Sequence, residues 1–142
     1  MIDYQALNEA VKDRIKELVG KDVTVGYTEP SSLAFPYVRV TRAQKDKEPE
    51  AIGIGGVYKE AVVYVVSVYT WAGGTNNKTQ DDMEEEGYEI TKEISQGLSG
   101  TRTINFEGVM EVEIESIKRP KQKKGLFRVD IEIVVYVEIQ GG

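Results

Sequence analysis

The stretch VYKEAVVYVVSVYTW, residues 57–71, decides the fold of this chain. It is rich in β-branched and aromatic side chains, which favour an extended backbone. Successive side chains of a strand point to opposite faces of a sheet, and both sets are apolar in the middle of this stretch. The stretch therefore predicts a long strand in the centre of a sheet, covered on both faces.

Further strands are predicted on either side of this long strand. The segments DVTVGY (22–27) and YVRVTR (37–42) precede it, and a hairpin of residues 109–117 and 126–139 follows it. Residues 43–56 combine charges, a proline and three glycines, which indicates a mobile loop or a loosely paired hairpin tip.

Two amphipathic helices complete the pattern, over residues 4–19 and 80–98. Asp3 is placed to cap the first helix, and Thr79 with Asp82 has the spacing of a capping box for the second. Gly87, on the apolar face of the second helix, predicts close approach to another backbone. The order of elements predicts an α+β fold in a single domain, residues 1–142, with a mostly antiparallel sheet of four to five strands. Two helices pack on one face of this sheet, and a long β-hairpin ends the chain.

Composition excludes several classes of function. The 142 residues include 24 acidic and 18 basic side chains, a formal charge of -6 that disfavours general binding to nucleic acid. Cysteine and histidine are absent, which removes disulfides, Ser-His and Cys-His catalysis and the usual zinc ligands. We therefore predict no enzymatic activity, no metal and no cofactor. No apolar run is long enough for a secretion signal or a membrane span, so we expect no membrane association.

Opposite charges concentrate in the turn of the last hairpin and at the start of the second helix. Such a pair favours head-to-tail association of identical subunits in a ring, with a solvated turn or a phosphate contact as alternatives. The apolar residues of the glycine-containing loop fit the same idea, if the loop becomes ordered against a neighbouring subunit. The candidate interface residues are Lys118, Arg119, Lys121, Lys123, Lys124, Asp81, Asp82, Glu84, Glu85, Ile52 and Ile54.

The last hairpin also separates apolar from acidic side chains. Met110, Val112 and Ile114 are predicted to face the core, and the opposite side carries a stripe of like charges that costs stability unless a partner relieves it. The stripe fits a solvated face or a channel lining. It fits a metal or catalytic site less well, because side chains along a strand do not converge. The candidate channel-lining residues are Glu111, Glu113, Glu115, Asp130 and Glu132.

The order of these segments resembles the tail terminator, or tail-completion, proteins of long-tailed bacteriophages. The resemblance rests on the N-terminal helix, the strand FPYVRVTR after a proline loop, the long strand, the helix DDMEEEGYEITKEISQGL and the final hairpin VMEVEIESIKRPKQKKGLFRVDIEIVVYVEI. It implies a virion protein that forms a hexameric ring on the last ring of tail-tube protein. Such a ring ends tube growth and provides the surface on which the head docks, and DNA passes through its lumen.

The resemblance also implies partners and a location. The partners are other copies of the chain, the tail-tube protein and head-neck connector proteins, with DNA only in transit. The location is the head-proximal end of the virion tail, after assembly in the host cytoplasm. An acidic lumen suits this role because it repels phosphate. The alternatives are another neck or head-completion ring protein, a tail-tube subunit, a small soluble binding module and a carboxylate-dependent enzyme.

Overall fold

The structure, a computed structural model, describes residues 2–28, 35–43, 47–51, 57–72, 79–122 and 124–140. This part of the chain forms two helices and seven strands. In chain order they are α1 (Tyr4–Leu18), β1 (Thr24–Gly26), β2 (Tyr37–Arg42), β3 (Lys47–Ala51), β4 (Val57–Trp71), α2 (Gln80–Leu98), β5 (Gly100–Thr101), β6 (Val109–Lys118) and β7 (Leu126–Gln140).

All seven strands of the described residues belong to one sheet, in the order β1-β2-β4-β7-β6-β5, with β3 paired to the start of β4. β1 and β2 run parallel, and the other pairs are antiparallel. β4 and β7 pair along their whole lengths, which confirms that residues 57–71 form the central strand. The predicted α+β class, with its C-terminal hairpin, is confirmed.

The sheet has more strands than the four to five predicted, because β3 and β5 carry no recognisable strand pattern. β3 has the sequence KEPEA, which lacks apolar alternation, and β5 has two residues only. Each is a strand because its backbone pairs with a longer neighbouring strand. Of the two predictions for residues 43–56, the hairpin is therefore confirmed for residues 47–51.

Both helices pack on the same face of the sheet, as predicted. Leu7, Val11 and Ile15 of α1 are fully buried, and they join one cluster with α2 and alternate residues of β4 and β7. The β4 and β7 residues of this cluster on the covered face are Val62, Tyr64, Val66, Val68, Phe127, Val129, Ile131, Ile133, Val135 and Val137.

Both predicted N-terminal caps are confirmed. The Asp3 carboxylate accepts a hydrogen bond from the Ala6 backbone N–H at 3.1 Å. The hydroxyl of Thr79 accepts from the Asp82 N–H, and the Asp82 carboxylate accepts from the Thr79 N–H, which completes the capping box.

Gly87 approaches a side chain, and the prediction of a backbone contact there is wrong. A Cβ at this position would lie 2.1 Å from Cε1 of Phe127, a residue of β7 that is 1% exposed. The missing side chain therefore makes room for an aromatic ring between α2 and the sheet.

The opposite side of the sheet, termed here the helix-free face, carries neither of the described helices. Helices cover only one face of β4, but Ala61, Val63, Ser67 and Tyr69 on the other face are also buried, which confirms the prediction that this strand is buried on both faces. Three small residues at the centre of the helix-free face, Ala61, Val63 and Val134, form a second buried cluster. This face is therefore apolar in its middle and polar around it.

Two register shifts interrupt the pairing of β6 with β7, between Val109 and Glu111 and between Ile114 and Ser116. Because of the first shift, Val109 rather than Met110 takes the core position opposite Val137, which corrects the prediction for Met110.

Candidate assembly surfaces

The turn between β6 and β7 is attached to α2 through Arg119. The guanidinium donates to the Glu84 carboxylate at 2.7 Å and to the Tyr88 hydroxyl at 3.0 Å. It also lies 4.7 Å from the centroid of the Phe127 ring, against which Tyr88 packs edge-on at 5.1 Å. The turn is thus held in one position on the surface of the subunit.

The Arg119–Glu84 pair changes the pKa of both groups. The hydrogen bond from Arg119 is the main cause that lowers the pKa of Glu84, and the bond to Glu84 raises that of Arg119. Both groups are solvent-accessible, so the pair orients the turn more than it stabilises the fold. These residues were predicted on opposite sides of a subunit contact, whereas they meet within one chain. Their separation by 35 positions explains why no local pattern indicates the contact.

The other basic residues of the turn that the structure describes point outward. Lys118, Lys121 and Lys124 are exposed, and Lys118 lies opposite Asp130 in the β6–β7 register. Two large apolar side chains lie close by: Tyr88 is 51% exposed and Ile117 is 53% exposed. We call the surface on the α2 side the basic patch: Tyr88, Ile117, Arg119, Lys121 and Lys124. The predicted interface residue Lys118, opposite Asp130, lies on the helix-free face instead.

Three predicted interface residues, Lys123, Ile52 and Ile54, lie outside the described residues.

The basic patch includes two residues that the sequence analysis does not predict. Tyr88 lies among the acidic residues of the helix, and Ile117 fits the alternation of its strand, so neither local pattern indicates an interface residue.

On the other side of α2 lies a groove of about 480 Å³ with acidic walls. Gly20, Val23, Pro36 and Ile90 form its remaining walls. We call it the acidic groove after the carboxylates that line it, which are Asp22, Asp82, Glu85, Glu86, Glu89 and Glu93. The predicted Asp82 and Glu85 line this groove, Glu84 faces the turn, and Asp81 is exposed outside its lining.

A signal for the groove was present in the sequence. Positions 82, 86, 89 and 93 recur every three or four residues, which is the spacing of one helical stripe. Charge at the helix start indicates only the acids of the first turns, so Glu89 and Glu93 are not among the predicted interface residues.

The acids of the last hairpin do not form a continuous stripe. Glu111 and Glu113 lie opposite Tyr136 and Val134, whereas Glu132 and Asp130 lie opposite Ser116 and Lys118. The register shift at position 115 separates the two sets, which corrects the predicted repulsion between them.

Asp130 has a basic partner on its own strand. Nε and Nη2 of Arg128 donate to its two carboxylate oxygens at 2.9 and 3.1 Å. A paired carboxylate of this kind contributes little net negative charge to the surface.

Around Tyr136 the helix-free face is acidic. The Tyr136 hydroxyl donates to Glu113 at 3.0 Å. Burial, then the bond to Glu113, then the charges of Glu113, Glu115 and Glu111 raise the pKa of Tyr136 to about 12. Glu115, although it lies in the register shift, therefore stays near the other two acids.

All five candidate channel-lining residues thus belong to the helix-free face, but the face is not uniformly acidic. The bases described on it include Arg39 opposite Ser67, Arg128, Lys118, and Lys59, which lies opposite Glu138 and whose Nζ lies 4.5 Å from the centroid of the Tyr136 ring. The excess of negative charge is concentrated at the Tyr136 end.

In the part of the chain that the structure describes, no three or more carboxylates are grouped so as to hold a metal ion. Neither of the two described helices combines the length and the apolar character that crossing a membrane requires.

Comparison with known proteins identifies the fold. No family model matches the chain, and no curated protein matches its sequence. Among solved structures, a chain from the virion of a native gene transfer agent particle superposes with a TM-score of 0.63 at 20% identity. The match covers 94% of this chain and 95% of that one. A second solved chain has a TM-score of 0.52 at 17% identity, over 98% of this chain and 95% of its own length.

Proposed function

We propose that this chain is a structural protein of a phage-like virion that forms a closed ring on the tail tube. The observation that carries the proposal is the fold shared with a chain of the gene transfer agent virion over 94% of the present chain. The resemblance of the sequence to tail terminator proteins adds the finer role. The ring would end tube growth and provide the head-docking surface at the head-proximal end of the tail, after assembly in the host cytoplasm.

The edge of the sheet at β6 supports assembly. Among the described strands, β5 pairs with Glu111 and Val112 of β6, and the Arg102 N–H just after β5 donates to the Met110 carbonyl. From Glu113 onward, β6 pairs with β7 alone. An unpaired strand edge promotes association with other chains unless it is covered. A neighbouring subunit in a ring would cover it.

The helix-free face is the proposed lining of the lumen. Its acidic end, Glu111, Glu113 and Glu115, would repel the DNA phosphates, whereas Asp130 and Glu132 lie in a zone of mixed charge. The proposed partners are other copies of the chain, the tail-tube protein and head-neck connector proteins, with DNA only in transit.

The proposal includes no catalytic role. The carboxylates of the helix-free face extend along two strands instead of converging on a cavity, and general acid-base chemistry needs convergence. The alternatives remain another neck ring protein, a tail-tube subunit, a binding module or a carboxylate-dependent enzyme.

Electron microscopy of the purified protein tests the proposal, with and without tail-tube protein. We expect closed rings with an axial hole that bind to tube ends and stop their growth. Tubes that lengthen without limit would identify a tail-tube subunit instead. Monomers at every concentration, with tail-tube protein present, would contradict the proposal and favour a binding module.

A further inference from the structure

Two surfaces of opposite charge lie on opposite sides of α2. The basic patch contacts the helix at Glu84 and Tyr88. With about 3.6 residues per turn, groove positions 86 and 93 project from the other side of the helix. One subunit therefore presents both halves of a complementary pair, directed away from each other.

The sheet order gives the same arrangement. The wall of the acidic groove opposite α2 consists of residues leading into β1 and β2, while the basic patch follows β6. β1 and β6 are separated by β2, β4 and β7 in the sheet. Surfaces placed in this way cannot meet within one subunit, and their contact between two subunits is head to tail.

From this placement we propose that the basic patch of one subunit docks into the acidic groove of the next, and that this contact closes the ring. The inference rests on the ring proposed above and adds which two surfaces meet. The occupant of the groove is thus a second copy of this chain.

The basic patch has the composition of an interface centre with a charged rim. Tyr88 and Ile117 leave about half of their surface exposed, and the turn that follows Ile117 supplies the exposed cations Lys121 and Lys124. Aromatic and aliphatic anchors inside a polar rim are typical of protein interfaces.

The anchor is also held in place before binding. Tyr88 packs against Phe127 and accepts a hydrogen bond from Arg119. Docking therefore costs little conformational entropy at this residue.

Charge complementarity selects the occupant of the groove. Its carboxylates repel one another along α2, and lysines from a neighbour would relieve that repulsion. A nucleic acid would be repelled by the same carboxylates. A second copy of the chain supplies such cations, because the lysines of its turn are concentrated and exposed.

Charge exchange tests the pairing. The patch variant is Lys121→Glu with Lys124→Glu, and the groove variant is Glu85→Lys with Glu89→Lys. Arg119 and Asp82 are left unchanged because the first attaches the turn and the second caps α2. Each variant alone should associate at least tenfold more weakly than the wild type in sedimentation velocity, with an unchanged circular dichroism spectrum.

The two variants mixed in equal amounts should recover rings, because each reversed patch then meets a reversed groove. A single chain with all four substitutions should also recover them. The matched control, Asp13→Lys with Glu107→Lys, has the same charge change as the groove variant at exposed positions outside both surfaces, and it should assemble like the wild type.

Wild-type assembly by either variant alone would overturn the inference. Loss of assembly that the mixture does not restore would also overturn it. The patch would then bind another surface, such as the tail-tube protein, and the proposed ring would not be contradicted. A wild-type protein that never associates would overturn the proposed ring as well, and the two failures are therefore distinguishable.

Discussion

The two faces of the central β4–β7 pair use alternate residues of the same strands, yet they differ in polarity. On the covered face, Tyr64, Ile131 and Ile133 are fully buried beneath the helices. On the helix-free face Ala61, Val63, Ser67, Tyr69 and Val134 are buried, and charged side chains lie beside them, such as Asp130 opposite Ser67 and Arg128 opposite Tyr69. The covered face thus supplies folding energy, which leaves the other face free to carry charge.

The register shifts in β6 show which face controls the pairing. Ile114 and Ile117 remain opposite Ile133 and Ile131 of the covered face despite the shift between them. On the helix-free face the same shift displaces Glu115. Burial of apolar side chains is worth more than the spacing of exposed charges, so the irregularity appears where it costs least.

The largest expected effect compares one aromatic residue on each face of β7. Phe127→Ala should lower the free energy of unfolding by about 3–5 kcal/mol, because it leaves a cavity beside Gly87. Tyr136→Ala should cost less than half of that, since Tyr136 is partly exposed and its loss leaves no enclosed cavity. Urea denaturation of both variants measures the difference. Equal losses would show that the helix-free face contributes as much to folding as the covered face.

A smaller effect distinguishes two glycines of α2 on the covered side. Gly87→Ala should destabilise the protein by about 1–3 kcal/mol, because the new Cβ overlaps the buried ring of Phe127. Gly97 is the matched control: its Cβ would meet the methyl groups of Leu18, which is only partly buried and free to move. Gly97→Ala should be neutral or stabilise the helix by up to about 1 kcal/mol. Thermal melting of the two variants is the measurement, and similar losses would contradict a specific role for Phe127.

Two substitutions on the helix-free face should change stability in opposite directions. Glu111→Gln with Glu115→Gln should raise the free energy of unfolding by about 0.2–0.5 kcal/mol, because it removes like charges around Tyr136. Asp130→Asn should lower it by about 0.2–1 kcal/mol, because it weakens the pair with Arg128. Denaturant titration at low salt measures both, and high salt should reduce both differences. A loss of stability in the Gln variant would show that the three acids are satisfied by contacts instead of repelling one another.

A pH dependence of stability is also expected from Tyr136 on the helix-free face. Its folded pKa, about 12, lies above the usual 10.0, so the unfolded chain releases the proton first. Stability from this group is complete below pH 10 and decreases as pH rises towards 12. Tyr136→Phe should therefore lose less stability than the wild type across this window.

Burial and then a hydrogen bond with Glu9 of α1 raise the pKa of Tyr27 to about 12. Tyr27→Phe should therefore also lose less stability than the wild type as the pH rises. An unchanged alkaline profile in Tyr136→Phe would contradict the assignment.

The sequence by itself determined the elements that depend on local order. Alternation and β-branched residues located β4, apolar spacing located both helices, and the side chains of Asp3, Thr79 and Asp82 located their starts. These signals are readable because strand alternation, helical spacing and capping each depend on residues a few positions apart.

Only the tertiary structure decided what lies between distant segments. It placed Phe127 over Gly87, joined Arg119 to Glu84 and shifted the register of β6 so that the acids separated into two sets. It also showed that one set of α2 acids, from Asp82 to Glu93, lines a groove on the side away from the basic patch, whereas Glu84 contacts the patch. None of these contacts has a local signature, because each depends on how the helices pack on the sheet, and that packing is set by the sum of many apolar contacts.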